Sequence, residues 1–121
     1  VQRCEHDLRR SGEATLVGSL RQFLMRSFDA PIGGRVPPTL REAANELHLS
    51  VRTLHRRLQA AGLSFQSLVD DARRERAALL MLDARAKLGD VATALGYRDP
   101  ANFSRAYKRW YGRSPREARA S

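Results

Sequence analysis

The sequence lacks most of the features that mark secreted, membrane and β-sheet proteins. Its 121 residues include one cysteine, Cys4, which excludes an internal disulfide and indicates a reducing compartment such as the cytoplasm. No apolar run approaches the roughly 18 residues of a membrane span, and no signal peptide is visible. No stretch sustains the alternation of apolar and polar residues that is typical of strands. Because the chain starts at Val1 without a methionine, we expect it to be part of a longer protein.

Lysine and acidic residues are scarce beside arginine. Only Lys87 and Lys108 are lysines among 22 cationic residues, and 13 acidic residues leave a net charge of +9. Such a charge on a short chain predicts a polyanionic partner, either nucleic acid or an anionic membrane surface. Arginine holds phosphate or guanine through two hydrogen bonds, which favours nucleic acid. A basic surface without any partner is the alternative that composition leaves open.

Hydrophobic residues make up 42% of the chain, enough for a core, and they recur at helical spacing. We therefore predict an all-α protein of about seven helices. A linker or flexible start over 1–12 precedes a first helix over 14–28, and a loop follows over 29–38. The remaining helices are predicted over 39–47, 51–61, 65–82, 88–95, 101–111 and a short stretch from Pro115.

Helix ends are marked by capping residues. Thr39 with Glu42, and Ser114 with Glu117, have the spacing of capping boxes, in which each side chain bonds the backbone N–H of the other residue. Gly112 follows the helix over 101–111 and is expected to end it in the left-handed conformation.

An internal repeat divides the chain into two similar units at an offset of 48–50 residues. Four matching pairs are Ala44 with Ala92, Leu47 with Leu95, Gly62 with Gly112, and Ser64 with Ser114. Each unit has a helix, a tight turn, a second helix, a glycine and a serine, which is typical of a helix-turn-helix motif. We predict unit one over about 13–63, a linker helix over 64–83 and unit two over about 84–121.

Charge is distributed unequally between the two helices of each unit. Residues 39–49 carry one cation and two acids, a net charge of −1, whereas residues 51–62 carry three cations and no acid. Residues 88–95 carry one acid, whereas residues 101–113 carry four cations and no acid. This placement predicts that the second helix of each unit lies in the major groove of DNA. Joined by a rigid linker helix, the two would enter successive segments of the groove, about 34 Å apart.

The outward faces of these two helices supply candidate DNA contacts. Residues early in such a helix reach base edges, whereas later residues meet the backbone. We predict base contacts by Arg52, His55, Arg56, Asn102 and Arg105. We predict backbone contacts by Ser50, Arg57, Ala101, Lys108, Arg109 and Arg113. On the helix over 101–111, the opposite face is expected to pack inward through Phe103, Ala106, Tyr107 and Trp110. For each single cation, the alternative is a solvated surface charge.

Two stretches, "LREAANELHLSVRTLHRRLQAAGLSFQSLVDDAR" and "LGDVATALGYRDPANFSRAYKRWYGRSP", resemble the DNA-binding domain of the arabinose-regulator (AraC/XylS) family of bacterial transcription regulators. The resemblance covers about 17–119 and is most specific at Ala92, Leu95, Gly96, Tyr97, Phe103, Arg105, Tyr107, Lys108, Gly112, Ser114 and Pro115. It implies binding of double-stranded DNA in the cytoplasm, at the nucleoid. It also implies a separate sensor or dimerisation domain upstream of Val1, and contact with RNA polymerase in activators.

Three positions depart from the family pattern. Lys87 stands where a serine, threonine or proline often begins the helix, so a frayed start is expected. Ala118 replaces an aromatic residue that usually anchors the last helix. Ala101 replaces a longer polar residue and can offer only a methyl contact, for instance to thymine.

Two other classes of function are alternatives to DNA binding. An enzyme would need catalytic or metal-binding residues, and Cys4, Glu5 and His6 are close in sequence but have no matching pair elsewhere. His48 and His55 have no cysteine or acid at catalytic spacing, so we predict no enzymatic activity and no cofactor. A helical protein-interaction module with a non-specific basic surface is the second alternative.

Overall fold

The computed structural model describes residues 2–29 and 36–120, with side chains from Thr15 onward, and these residues form helices joined by turns and short loops. The seven helices are α1 (Gln2–Asp29), α2 (Leu40–Glu46), α3 (Val51–Ala60), α4 (Phe65–Leu80), α5 (Leu88–Ala94), α6 (Pro100–Tyr111) and α7 (Pro115–Ala120). No strand occurs in these ranges, which confirms the predicted fold class. Of the predicted loop over 29–38, residues 30–35 lie outside the described part.

Helix α1 begins earlier than the sequence predicts. The predicted start at residue 14 is wrong, because the helix runs without a break from Gln2 to Asp29 and includes most of the stretch predicted as a linker or flexible start over 1–12. Residues 2–17 contain no proline and only Gly12 as a breaker. Extending a helix that is already formed costs less than starting one, so a polar stretch can continue a helix that packs further along. That packing comes from Leu20, Phe23 and Leu24, which are all buried.

Both predicted capping boxes are present. The N–H of Thr39 donates to Glu42 Oε1 at 2.9 Å, and the N–H of Glu42 donates to Thr39 Oγ1 at 3.1 Å. The N–H of Ser114 donates to Glu117 Oε1 at 3.2 Å, and the N–H of Glu117 donates to Ser114 Oγ at 3.1 Å. Gly112 ends α6 with a φ of 82°. These bonds satisfy backbone groups that a helix end leaves without internal partners.

The buried side chains form two hydrophobic cores. The first core lies between α1, α2, α3 and α4 and is built largely from leucines: Leu20, Leu24, Leu54, Leu58 and Leu68. The second core lies where the C-terminal end of α4 meets helices α5 and α6. It includes Ala77, Val91, Leu95, Phe103 and Tyr107. Phe28, near the end of α1, packs against both cores. Helices α1 and α4 therefore connect the two units through apolar contact.

The predicted inward face of α6 is confirmed, but one of its residues is less buried than the others. Phe103, Ala106 and Tyr107 are buried, whereas Trp110 is only half-buried at the edge of the second core. The ring of Trp110 meets Tyr111 edge-on, with centroids 6.5 Å apart. Phe103 and Tyr107 therefore pack within the protein, as the helical spacing predicts, whereas Tyr111 is exposed.

Two residues that depart from the family pattern, Lys87 and Ala118, lie at the start of α5 and in α7. Lys87 caps α5 with its backbone carbonyl alone and makes no side-chain cap bond. Ala118 packs against the second core. The guanidinium of Arg119 donates to the carbonyls of Ala86 and Asp83, the latter at 3.0 Å. An arginine that reaches back to the segment before α5 thus holds the last helix, a role the sequence did not reveal.

Candidate nucleic-acid interface

The first helix-turn-helix motif consists of α2, the turn over 47–49, and α3. The turn closes through the N–H of Leu49, which donates to the carbonyl of Ala44 at 2.9 Å. His48 takes a left-handed conformation in this turn, with a φ of 57°. Ser50 then caps α3, because its Oγ accepts the N–H of Thr53 at 3.1 Å. The cap fixes where α3 begins and therefore which side chains lie in its first turn.

The second motif repeats this construction with α5 and α6. The N–H of Tyr97 donates to the carbonyl of Ala92 at 3.0 Å, and Gly96 has a φ of 90°. Asp99 caps α6, since its Oδ1 accepts the N–H of Ala101 at 2.9 Å. Pro100 occupies the first helical position, where its missing N–H costs nothing. The two motifs therefore share turn geometry although their residues differ.

Helix α3 separates an apolar face from a cationic face. Leu54 and Leu58 are 0% and 1% exposed, whereas the polar side chains on the other side are all exposed: Arg52, His55, Arg56 and Arg57. Within the described residues, none of the three arginines forms an ion pair. Their guanidinium groups are thus available to a polyanion, and the predicted cap residue Ser50 is exposed beside them.

Helix α6 presents a similar face, and two of its predicted base-contacting residues bond each other. Every predicted contact on or after α6 is exposed: Ala101, Asn102, Arg105, Lys108, Arg109 and Arg113. The guanidinium of Arg105 donates to the Oδ1 of Asn102, one helical turn earlier. The bond uses one of the two lone pairs of the Asn102 oxygen, so the amide group of Asn102 and the remaining donors of Arg105 can still bond an outside partner.

Arg109 contacts both the linker helix and a neighbouring aromatic ring. Its Nη2 lies 3.3 Å from Asp70 Oδ2 on α4, and its guanidinium carbon lies 6.0 Å from the ring centroid of Trp110. Both side chains of the ion pair are well exposed, and such pairs contribute only about 0–1 kcal/mol. Arg109 thus contacts the linker helix in the free protein, and moving it to a phosphate would cost little.

Two arginines of α4, Arg73 and Arg74, contact unit two, and the sequence did not reveal these contacts. The Nε of Arg73 donates to the carbonyl of Leu95 at 3.0 Å. The hydroxyl of Tyr111 donates to the backbone carbonyl of Arg74 at 2.7 Å. The sequence signal was a run of cations on one linker helix, but spacing alone does not show which of them turn inward. These contacts fix α6 to α4.

One tyrosine and one glutamate, Tyr97 and Glu117, have shifted pKa values. Burial raises the pKa of Tyr97, and the neighbouring Arg73 guanidinium opposes that shift. Hydrogen bonds from Ser114 lower the pKa of Glu117, which is the carboxylate of the second capping box. Both groups belong to structural contacts, since neither lies on the exposed faces of α3 and α6.

In the side chains that the structure describes, no group of three or more histidine, cysteine, aspartate or glutamate residues is arranged to hold a metal ion. The alternative site at Cys4, Glu5 and His6 lies outside those side chains. None of the helices over 2–29 and 36–120 combines the length and apolarity of a membrane span.

Comparison with known proteins identifies the family. A family model described as a helix-turn-helix domain matches residues 43–121. The ornithine utilization regulator of Pseudomonas aeruginosa is 38% identical over 82 residues, which cover 68% of this chain and 24% of that protein. The chain thus spans about a quarter of the length of this and similar curated relatives.

Two solved structures are similar over most of both chains. The C-terminal domain of AraT, a response regulator from Geobacillus stearothermophilus, is 31% identical with a TM-score of 0.69, covering 87% of this chain and 84% of that one. A transcriptional regulator with an AraC-type DNA-binding domain from Chromobacterium violaceum is 21% identical with a TM-score of 0.73, covering 91% and 94%, and shares the fold. The chain therefore belongs to the helix-turn-helix domain family of the arabinose-regulator type, a class of DNA-binding transcription regulators.

Proposed function

We propose that this chain is the sequence-specific, double-stranded DNA-binding part of a bacterial transcription regulator, with α3 and α6 in successive major-groove segments. The observation that carries the proposal is the charge on these two helices. Each has an exposed face with cations and no acid, and each is held by an apolar face in a core. Phosphates attract such faces, and arginine and asparagine on them match guanine and adenine edges.

The assignment of single residues follows from their position along each helix. Base contacts are proposed for Arg52, His55, Arg56, Asn102 and Arg105. Backbone contacts are proposed for Ser50, Arg57, Ala101, Lys108, Arg109 and Arg113. Ser50 lies at the N-terminus of α3, where its own N–H and the helix dipole favour a phosphate. All of these residues are exposed, which the assignment requires.

The rest of the regulator is proposed from its relatives. The two Pseudomonas aeruginosa relatives are nearly three times as long as this chain, and their names describe regulators. We infer that the chain acts beside a sensor or dimerisation domain, in the cytoplasm and at the nucleoid. The Shigella flexneri relative VirF is named a transcriptional activator. If this regulator is also an activator, we expect it to contact RNA polymerase. The chain itself is proposed to need no cofactor and to catalyse no reaction.

The decisive experiment selects bound sites from a random pool of duplexes and measures affinity for the selected site at several salt concentrations. We expect one extended site with two conserved segments, centred about 10 base pairs apart. Affinity should fall steeply as salt rises, with a slope that reports the number of neutralised phosphates. A pool that yields no preferred sequence would support the alternative, an interaction module with a non-specific basic surface.

A matched pair of variants separates the recognition surface from general charge. Arg57→Ala removes a cation from α3, and Arg85→Ala removes one from the exposed segment between α4 and α5. Both lower the net charge by one. The first should reduce the salt slope by about 1, whereas the second should leave it unchanged, because only phosphate contacts release counterions. Equal effects from both would contradict the proposed surface.

A further inference from the structure

The turn of unit two, residues 95–97, contacts an arginine of the linker helix. Arg73 lies in the middle of α4 and is half-buried. Its Nε donates to the carbonyl of Leu95 at 3.0 Å, and its guanidinium carbon lies 4.5 Å from the ring centroid of Tyr97. One side chain thus makes a charge-assisted hydrogen bond and a cation–π contact with the same turn.

The hydrogen bond satisfies a group that the turn cannot satisfy by itself. Leu95 is the residue that ends α5, so its carbonyl has no partner inside that helix. Leu95 is also fully buried, which makes an unpaired carbonyl there costly. Arg73 therefore contributes to the turn directly, and α6 begins only a few residues later, after its cap at Asp99.

A second segment presses on the same turn. Gly96 has no side chain, and a Cβ at this position would lie 2.1 Å from the carbonyl oxygen of Val36 and 3.1 Å from Cδ of Pro37. The segment over 36–38 leads into α2 of unit one. The turn before α6 is therefore in contact with the linker helix and with the start of unit one. We call these contacts of residues 95–97 with Arg73, Val36 and Pro37 the turn clamp.

In the described part of unit one, the turn has no equivalent contacts. Its turn contains His48 in place of Gly96, and that histidine is exposed. Among the described residues, no side chain donates to the carbonyl of Leu47, the counterpart of Leu95. Helices α2 and α3 of unit one pack against α1 and α4 through the first apolar core. Ion pairs also join α1 to α4, but they involve neither turn. Of the two turns, the turn of unit two is the one that an arginine of the linker helix holds.

We propose that Arg73 is a positioning residue that fixes α6 relative to α3, and that it thereby sets the spacing between the two DNA segments the protein binds. This inference rests on the proposed function. Arg73 itself points into the protein and contacts no DNA. Loss of the turn clamp should let unit two move on α4. The difference in affinity between duplexes with the optimal spacing and duplexes with an altered spacing should then become smaller.

The test compares duplexes in which the two half-sites are separated by the selected spacing or by one or two base pairs more or less. Each added base pair rotates one half-site by about 34–36° around the duplex, because half-sites one turn apart are 10–10.5 base pairs apart. For each variant of the full chain, the measured quantity is the ratio of affinity at the selected spacing to affinity at shifted spacings. Duplexes with one half-site serve as a reference for each helix alone.

We expect Arg73→Ala to lower this ratio by about fivefold or more, which is the scale of the two contacts it removes. Affinity for single half-sites should not change. Arg73→Lys keeps a donor for Leu95 but loses the planar contact with Tyr97, so the ratio should fall less. The lysine variant also serves if the alanine variant does not fold. An unchanged ratio in the variant that folds, or an equal loss on every duplex, would overturn the proposal.

Arg74→Ala is the matched control. It removes the same charge from the adjacent position of α4, where the exposed guanidinium lies 5.5 Å from the ring of Tyr111 and does not touch the turn. The ratio should match that of the unchanged protein, and a fall as large as that of Arg73→Ala would refute the role of the turn clamp. If the unchanged protein itself shows no two-part site, the proposed function fails instead, which keeps the two failures apart.

Discussion

Gly96 and His48 occupy equivalent positions in the two turns, and both have left-handed backbones, with φ values of 90° and 57°. The reason for a glycine in one turn and a histidine in the other is the space around them. A Cβ at Gly96 would collide with the carbonyl of Val36, whereas the side chain of His48 is exposed. The turn shape alone favours glycine but does not demand it.

Substitutions at these two positions should have opposite effects on the free energy of unfolding. Gly96→Ala adds left-handed strain of about 1–2 kcal/mol and an overpacking cost of about 1–3 kcal/mol against Val36. His48→Gly relieves strain but increases the entropy of the unfolded chain, for a net gain of about 0.5 kcal/mol. Urea denaturation measures both free energies of unfolding. Destabilisation of similar size by both changes would contradict this account.

Phe103 should be the more important of two aromatic residues on α6. It is 1% exposed in the second core, so Phe103→Ala should cost about 3–5 kcal/mol through the cavity it leaves. Trp110 is only half-buried, and Trp110→Ala should cost clearly less although the side chain is larger. Thermal melts of the two variants test the order. An equal or larger loss for the tryptophan variant would show that the edge of this core is misassigned.

Arg105 should determine one base preference. Arg105→Ala is expected to cost about 1–3 kcal/mol on the selected site and to relax the preference at one base pair. Asn102→Ala removes the amide oxygen that holds the Arg105 guanidinium, so it should weaken the same preference. Lys108→Ala is the comparison, because loss of a phosphate contact should weaken all sequences equally. A uniform loss for Arg105→Ala would contradict a base contact.

The second capping box should make stability depend on acid pH. Hydrogen bonds from Ser114 lower the pKa of Glu117 from its ordinary value of 4.5. A carboxylate with a lowered pKa in the folded state stabilises the protein above pH 4.5 and loses that contribution as pH falls through the folded value. Unfolding free energies measured on both sides of this range should show a smaller acid dependence in Glu117→Gln. An unchanged acid dependence would show that the box does not titrate with folding.

The elements that the sequence predicted well are those with local causes. Capping boxes, glycine ends and helical spacing act within a few residues, so the order of the helices and their inward faces follow from the pattern. The start of α1 was missed because a polar stretch carries no signal that it will extend a packed helix. The outward faces of α3 and α6 were predicted correctly, since burial of their apolar faces leaves the cations exposed.

Long-range polar contacts were beyond the sequence. Arg73 and Arg74 are neighbours with the same chemistry, yet only Arg73 reaches Leu95, 22 residues away. Arg119 likewise reaches the carbonyl of Ala86, 33 residues away. Which long side chain turns inward depends on the crossing of two helices, and no local pattern encodes that crossing.

The position of Phe28 has a consequence for how the protein melts. Its ring packs against both cores, so neither helix-turn-helix motif can lose its core without exposing an aromatic surface shared with the other. Heat capacity measurements should therefore show a single cooperative transition with equal calorimetric and van't Hoff enthalpies. Phe28→Ala should separate that transition into two steps, one for each motif.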